Sequence, residues 1–129
     1  MGRSSVRVLK NLWFVRFARK ERISDAALWD AVARAEKGLV DADLGGGVIK
    51  QRVARSGAGK SGGYRTLILY RAGERAVFAF GFAKSDLGNI DEKDEARLKA
   101  AAGLTLGLSD LEITELVEAG KLVEVKCDD

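Results

Sequence analysis

The chain of 129 residues carries 22 Lys and Arg against 19 Asp and Glu, with no His, no Pro and a single Cys. An apolar share of 47% predicts a soluble globular protein, and no apolar run nears the ~20 residues of a bilayer-spanning helix. With Cys127 alone and imidazole absent, internal disulfides, cysteine-rich metal sites and the usual zinc and haem sites are excluded, so neither metal nor cofactor is expected.

The length fits one domain over residues 1–129. The first residues, MGRSSVRVLKNLWF, lack a long apolar stretch and a small-residue cleavage site, so a cytoplasmic protein with no membrane partner is expected. The net charge of +3 hides a division: Met1 to Arg75 holds 16 basic and 7 acidic residues, and the remainder holds 6 and 12. One half is suited to meet phosphates, and the other to face water or a basic surface.

Trp13, Phe14, Phe17 and Ala18 recur at helical spacing among Arg16, Arg19, Lys20 and Arg22, which predicts a basic amphipathic helix from about Asn11 to Arg22. Trp13, Trp29 and the phenylalanines read as core. Lys10 and the helix arginines and lysines read as a solvated face. Ser24 and Asp25 can cap a second helix with an apolar stripe of Leu28, Val32, Ala35 and Leu39, closed by Lys37-Gly38. Asp41 to Gly47 is a turn-rich connector. VIKQRVA then alternates, placing Ile49 and Val53 on one face and Lys50 and Arg52 on the other, as a strand with a cationic side would.

A segment from Arg55 to Gly63 with four glycines leads into RTLILY, a turn at Ala72-Gly73 and RAVFAFGFAK, which together read as a hairpin. In its second strand Phe78, Phe80 and Phe82 are expected on one face. Asp91 can cap a helix carrying Ala96, Leu98 and Ala102, and Ser109 to Glu112 forms a capping box for another that ends at Gly120. Their acidic residues, Glu95 among them, should point away from a phosphate-binding surface. LVEV, from Leu122, reads as a short last strand. Strands grouped between helices predict an α+β fold with an antiparallel sheet.

Ala54 to Ser61, ARSGAGKS, fits a relaxed phosphate-loop pattern. That chemistry requires a helix to start at the Lys-Ser, whereas two glycines and β-prone residues follow, so a nucleotide-hydrolysing loop is set aside. Leu44 to Gly73 nevertheless holds Lys50, Arg52, Arg55, Lys60, Arg65 and Arg71 with no acidic residue, the pattern of a polyanion-binding surface.

KQRVARSGAGKSGGYRTLILY, followed after the hairpin by FAFGFAKSDLGNID, resembles the RelE-like toxins of the RelE/HigB group, in the RelE/ParE superfamily of bacterial type II toxin-antitoxin modules. GKSGGYR and FAKSD are the most specific segments, and the likeness runs over most of the chain. The resemblance implies an α+β domain with two N-terminal helices packed on a small antiparallel sheet and further helices at the C-terminal end. It also implies an activity as an mRNA interferase, an endoribonuclease acting on messenger RNA in the ribosome, and a neighbouring antitoxin of helix-turn-helix type.

RNA can be cut without metal when its own 2′-OH attacks the adjacent phosphorus. The protein must then orient the strand, move protons and stabilise phosphorane charge. Arg65 is the first choice for a bidentate phosphate clamp, and Lys84, at a strand end, for an acid or second clamp. Lys60 completes the expected catalytic group. Lys50, Arg52, Arg55 and Tyr64 are expected to bind RNA, with Tyr64, or an outward Phe82, stacking a base. Crowded like charges lower lysine pKa values, the route to a proton acceptor in a chain without histidine. The competing readings are a non-nucleolytic toxin of the same fold, of the ParE-like gyrase-inhibiting kind, and a plain nucleic-acid-binding domain.

Overall fold

A computed structural model of the protein describes residues 6–54, 63–83 and 90–126. Within them the chain runs β1 (Arg7–Asn11), α1 (Leu12–Glu21), α2 (Asp25–Glu36), β2 (Ala42–Gly45), β3 (Val48–Val53), β4 (Tyr64–Arg71), β5 (Arg75–Ala83), α3 (Glu92–Thr105), α4 (Asp110–Glu118) and β6 (Leu122–Glu124). The fold is α+β, as expected, around a six-stranded sheet of order β2-β3-β4-β5-β1-β6. No helix of the described residues is long and apolar enough to cross a membrane.

The sheet is antiparallel except where β1 runs parallel to β5, with Val8 opposite Ala76 and Lys10 opposite Phe78. Neither β1 nor β2 was expected. β1 is short and broken by Arg7 and Lys10, and its main partner lies far along the chain, so no local pattern marks it. β2 lies inside the connector at Asp41 to Gly47, where Asp43 and the glycines argue for turn; pairing with β3 overrides that preference.

Both faces of the sheet are covered. On one, α1 and α2 bury Phe14, Ala18, Leu28 and Val32 against Ile49, Val53, Ile68 and Phe78. On the other, α3 and α4 bury Ala102, Leu106 and Ile113 against Val48, Leu67, Leu69 and Val77. Double coverage explains why TLIL in β4 is buried throughout instead of alternating.

The expectation for the phenylalanines is corrected by a β-bulge. Leu67 pairs with Phe80 but Ile68 pairs with Phe78, so Ala79 is an extra residue and the side-chain alternation reverses there. Phe78 enters the core under α1, while Phe80 and Phe82 face the other way. Asn11 secures this point. Its Oδ1 accepts from the Phe14 N–H at 2.8 Å to cap α1, and its Nδ2 donates to the Ala79 carbonyl at 3.2 Å.

Buried polar groups lock the periphery. Gln51, fully buried, donates from Nε2 to the carbonyls of Ala31 and Leu39 and accepts from the Asp41 N–H, joining α2 and its exit to β3. Arg75 donates to the carbonyls of Thr105 and Leu108 and to Asp110 Oδ1, fixing the turn between α3 and α4. Arg7 reaches Glu124, Thr114 Oγ1 and the Asp110 carbonyl; its hydrogen bond to Glu124 raises its pKa. Burial of the Tyr70 phenol, together with its hydrogen bond to Glu36, holds that proton well above the ordinary range. Lys10 pairs with Asp25 at 3.1 Å, so it belongs to this framework and not to a solvated helix face.

Gly81 lets α1 approach the sheet. A Cβ there would stand 2.8 Å from Phe17 Cε2 and 3.3 Å from Phe14 Cε1. Gly81→Ala is therefore expected to cost about 1–3 kcal/mol by overpacking, read by urea denaturation. An unchanged midpoint would show that α1 is seated less tightly than described.

Candidate nucleic-acid interface

Period-two alternation sends Lys50 and Arg52 of β3, and Arg65 of β4, to the face of the sheet that α3 and α4 partly cover. Pairing then aligns them. Arg52 stands directly opposite Arg65, and Arg65 opposite Phe82 of β5, so the three form one row across the sheet; Lys50, Leu67 and Phe80 form the row beside it. Directly opposed residues on one face have Cβ atoms about 4.5–5.5 Å apart, and like charges so placed repel.

Next to this row is a cavity of about 240 Å³ lined by Leu44, Lys50, Leu67, Phe82, Ile90 and Glu95. Its lining combines the apolar side chains of Leu44, Leu67, Phe82 and Ile90 with one basic and one acidic residue. Glu95 thus faces the site, contrary to the expectation that the acidic helices turn away from it. Its Oε2 is held at 2.9 Å by Lys99, one helical turn on. Sequence gave no sign of this, because one more acidic residue on an acidic helix looks like a solvated face. A second cavity, lined by Glu21, Arg22, Ile23, Ser24, Ala27, Ala54 and Tyr64, lies toward α1 and α2.

Arg65 is half-buried, and its Nη1 is buried with no hydrogen-bond partner among the described residues. Buried guanidinium donors are normally paired, and leaving one unsatisfied costs stability. Arg52 is exposed; its main chain is held by Asp41 and Arg34, from outside the sheet face its side chain occupies. The arrangement suits an anion placed between two arginines, whose oxygens would satisfy the open donor and relieve the repulsion.

The remaining expectations divide. Tyr64 is only 1% exposed and lies on the opposite face, edge-on to Phe17, with its hydroxyl donating to Glu21 Oε1 at 2.9 Å. It is a core residue and offers no ring face to a base, since the strand period turns it away from Arg65. Phe82 is also buried, as a cavity wall. Arg71 is drawn off by the Leu106 carbonyl and Glu74. Arg55, Lys60 and Lys84 lie outside the described residues. By chain connection alone, Lys84 follows Ala83, which pairs with Tyr64, and residues 55–62 join Ala54 to Gly63.

An arginine kept for a ligand should be dispensable to the fold. Arg65→Met is expected to leave stability unchanged or raise it by about 1 kcal/mol, while weakening single-stranded RNA binding by roughly tenfold or more. Loss of more than about 2 kcal/mol in urea denaturation would mark Arg65 as a structural group.

No match was found among curated proteins. The family model described as the RelE toxin of the RelE/RelB toxin-antitoxin system matches residues 6–125, from before β1 to beyond β6. The match spans every described element, including the sheet that aligns the two arginines, and the chain therefore belongs to the RelE toxin family, the toxin side of a toxin-antitoxin pair.

Proposed function

We propose that this toxin is an endoribonuclease that cuts messenger RNA on the ribosome through metal-independent attack of a 2′-OH on the neighbouring phosphorus. The observation that carries the reading is the opposed pair of Arg52 and Arg65, with one buried guanidinium donor lacking a partner among the described residues, beside Phe82 of the cavity wall. A binding-only toxin has no need of that arrangement. A phosphoryl group becoming a phosphorane gains charge on its equatorial oxygens, and guanidinium donors already fixed there stabilise that charge without reorganising.

Side-chain chemistry supports the following roles. Arg65 clamps the scissile phosphate, and Arg52 supports it from the neighbouring strand. Lys84 and Lys60 are proposed as the proton donor to the departing 5′ oxygen and a further cation, and Lys50 and Arg55 as contacts to flanking phosphates. Glu95 adds what the basic residues lack, a carboxylate lining the cavity that can accept the 2′-OH proton. The cavity's apolar walls at Phe82, Leu67 and Ile90 suit the base next to the cut. The partners under this reading are the ribosome with its mRNA and a helix-turn-helix antitoxin that shields the cationic row.

Induced expression of the wild type beside an Arg65→Ala, Lys84→Ala double variant, with primer-extension mapping of cellular transcripts, tests the reading. The wild type should arrest growth and leave discrete mRNA ends that the double variant does not. Identical arrest with uncut transcripts from both would remove the nuclease.

A further inference from the structure

Trp13 is not the core residue its sequence position suggests. It is 40% exposed at the start of α1, although its ring is stacked on Phe17 at 5.2 Å and lies 4.6 Å from Phe80. Phe80 is in turn 6.4 Å from Phe82, the wall of the cavity beside Arg65. An aromatic path thus leads from the cleft, over β5, to a half-open indole on the neighbouring helix. The bulge at Ala79 sets its side, because the reversed alternation turns Phe80 and Phe82 to the face opposite Phe78.

The helix surface around Trp13 is cationic. Arg16 and Lys20 follow it at i+3 and i+7, on the same stripe, and both are exposed, as is Arg19. α1 has no acidic residue in its first turn, and Glu21 at its end is engaged by the Tyr64 hydroxyl. An exposed indole packed on two other rings, set among cations with no ion pair among the described residues, is the chemistry that receives an unpaired base and its phosphates.

We propose that Trp13, with Arg16 and Lys20, forms a second RNA subsite that stacks an unpaired base of the strand running out of the cleft. The inference rests on the cleft being an RNA site, and it assigns α1 a direct part in holding the substrate. Trp13 is a binding residue here, distant from the reacting phosphate.

Two tryptophans occur in the chain, and Trp29 is tied to the Val125 carbonyl at 3.0 Å, so a Trp29→Phe variant leaves Trp13 as the sole indole emitter. Titration of that full-length variant with a short single-stranded 2′-O-methyl RNA, which cannot be cut, should quench its fluorescence. In an anisotropy assay with the same oligonucleotide labelled, Trp13→Leu should weaken binding roughly tenfold or more, while Trp13→Phe stays within about threefold. Bound RNA with unquenched Trp13, or equal affinity for wild type and Trp13→Leu, would overturn the subsite. So would a loss of affinity for the antitoxin alone, which would assign this surface to a protein partner. Quenching by RNA in a protein that leaves transcripts uncut would refute cleavage and keep the subsite; cut transcripts with a silent Trp13 would do the reverse.

Discussion

Two arginines face each other across adjacent strands, and much of the molecule is arranged so that they can. Arg52 and Arg65 occupy directly opposed positions of β3 and β4, where their charges repel and one buried Nη1 has no partner among the described residues. A fold tolerates such a pair only if the strands are held in register by other means. Here Gln51 on one side of Arg52 is buried and triply hydrogen-bonded, and Thr66 beside Arg65 donates to the Gln51 carbonyl at 2.8 Å. The polar interior of the α1 and α2 face thus fixes the backbone whose opposite face carries the unfavourable charges.

The distribution of charge has the same logic. The excess of cations before Arg75 looks from sequence like one broad phosphate-binding surface, but the structure sorts it. Arg7, Lys10, Arg34, Arg71 and Arg75 are taken up by carboxylates or carbonyls, and several of these bonds fasten α3, α4 and β6 to the sheet. Among the described residues this leaves a smaller basic surface: Arg52 and Arg65 at the cleft, and the exposed face of α1. The acidic C-terminal half supplies partners for the structural arginines through Asp110 and Glu124, and brings Glu95 to the cavity.

Local signals explain what was legible. Helix caps at Ser24, Asp91 and Ser109 fall where the capping residues predict them, and the cationic alternation of β3 is as the residues imply. What escaped is non-local. β1 is a strand because β5 and β6 offer it edges, and β2 because β3 does. The bulge at Ala79 has no residue signature, since alanine is neither glycine nor proline, yet it redirects Phe80 and Phe82 and so shapes the cleft. Tyr64 was misplaced for a related reason: adjacency to Arg65 in sequence means opposite faces in a strand. Glu95 and Trp13 owe their positions to how whole helices dock, which a stripe pattern cannot give.

Under the proposed function Arg52 and Arg65 act together on one phosphate. A double-mutant cycle measures that directly: binding of an uncleavable single-stranded RNA to the wild type, Arg52→Met, Arg65→Met and the combined variant. Groups sharing one phosphate should show a coupling above about 0.5 kcal/mol, the two single losses together differing from the loss in the combined variant. Strictly additive losses, or full affinity in the combined variant, would mean that the opposed arginines do not form a joint site.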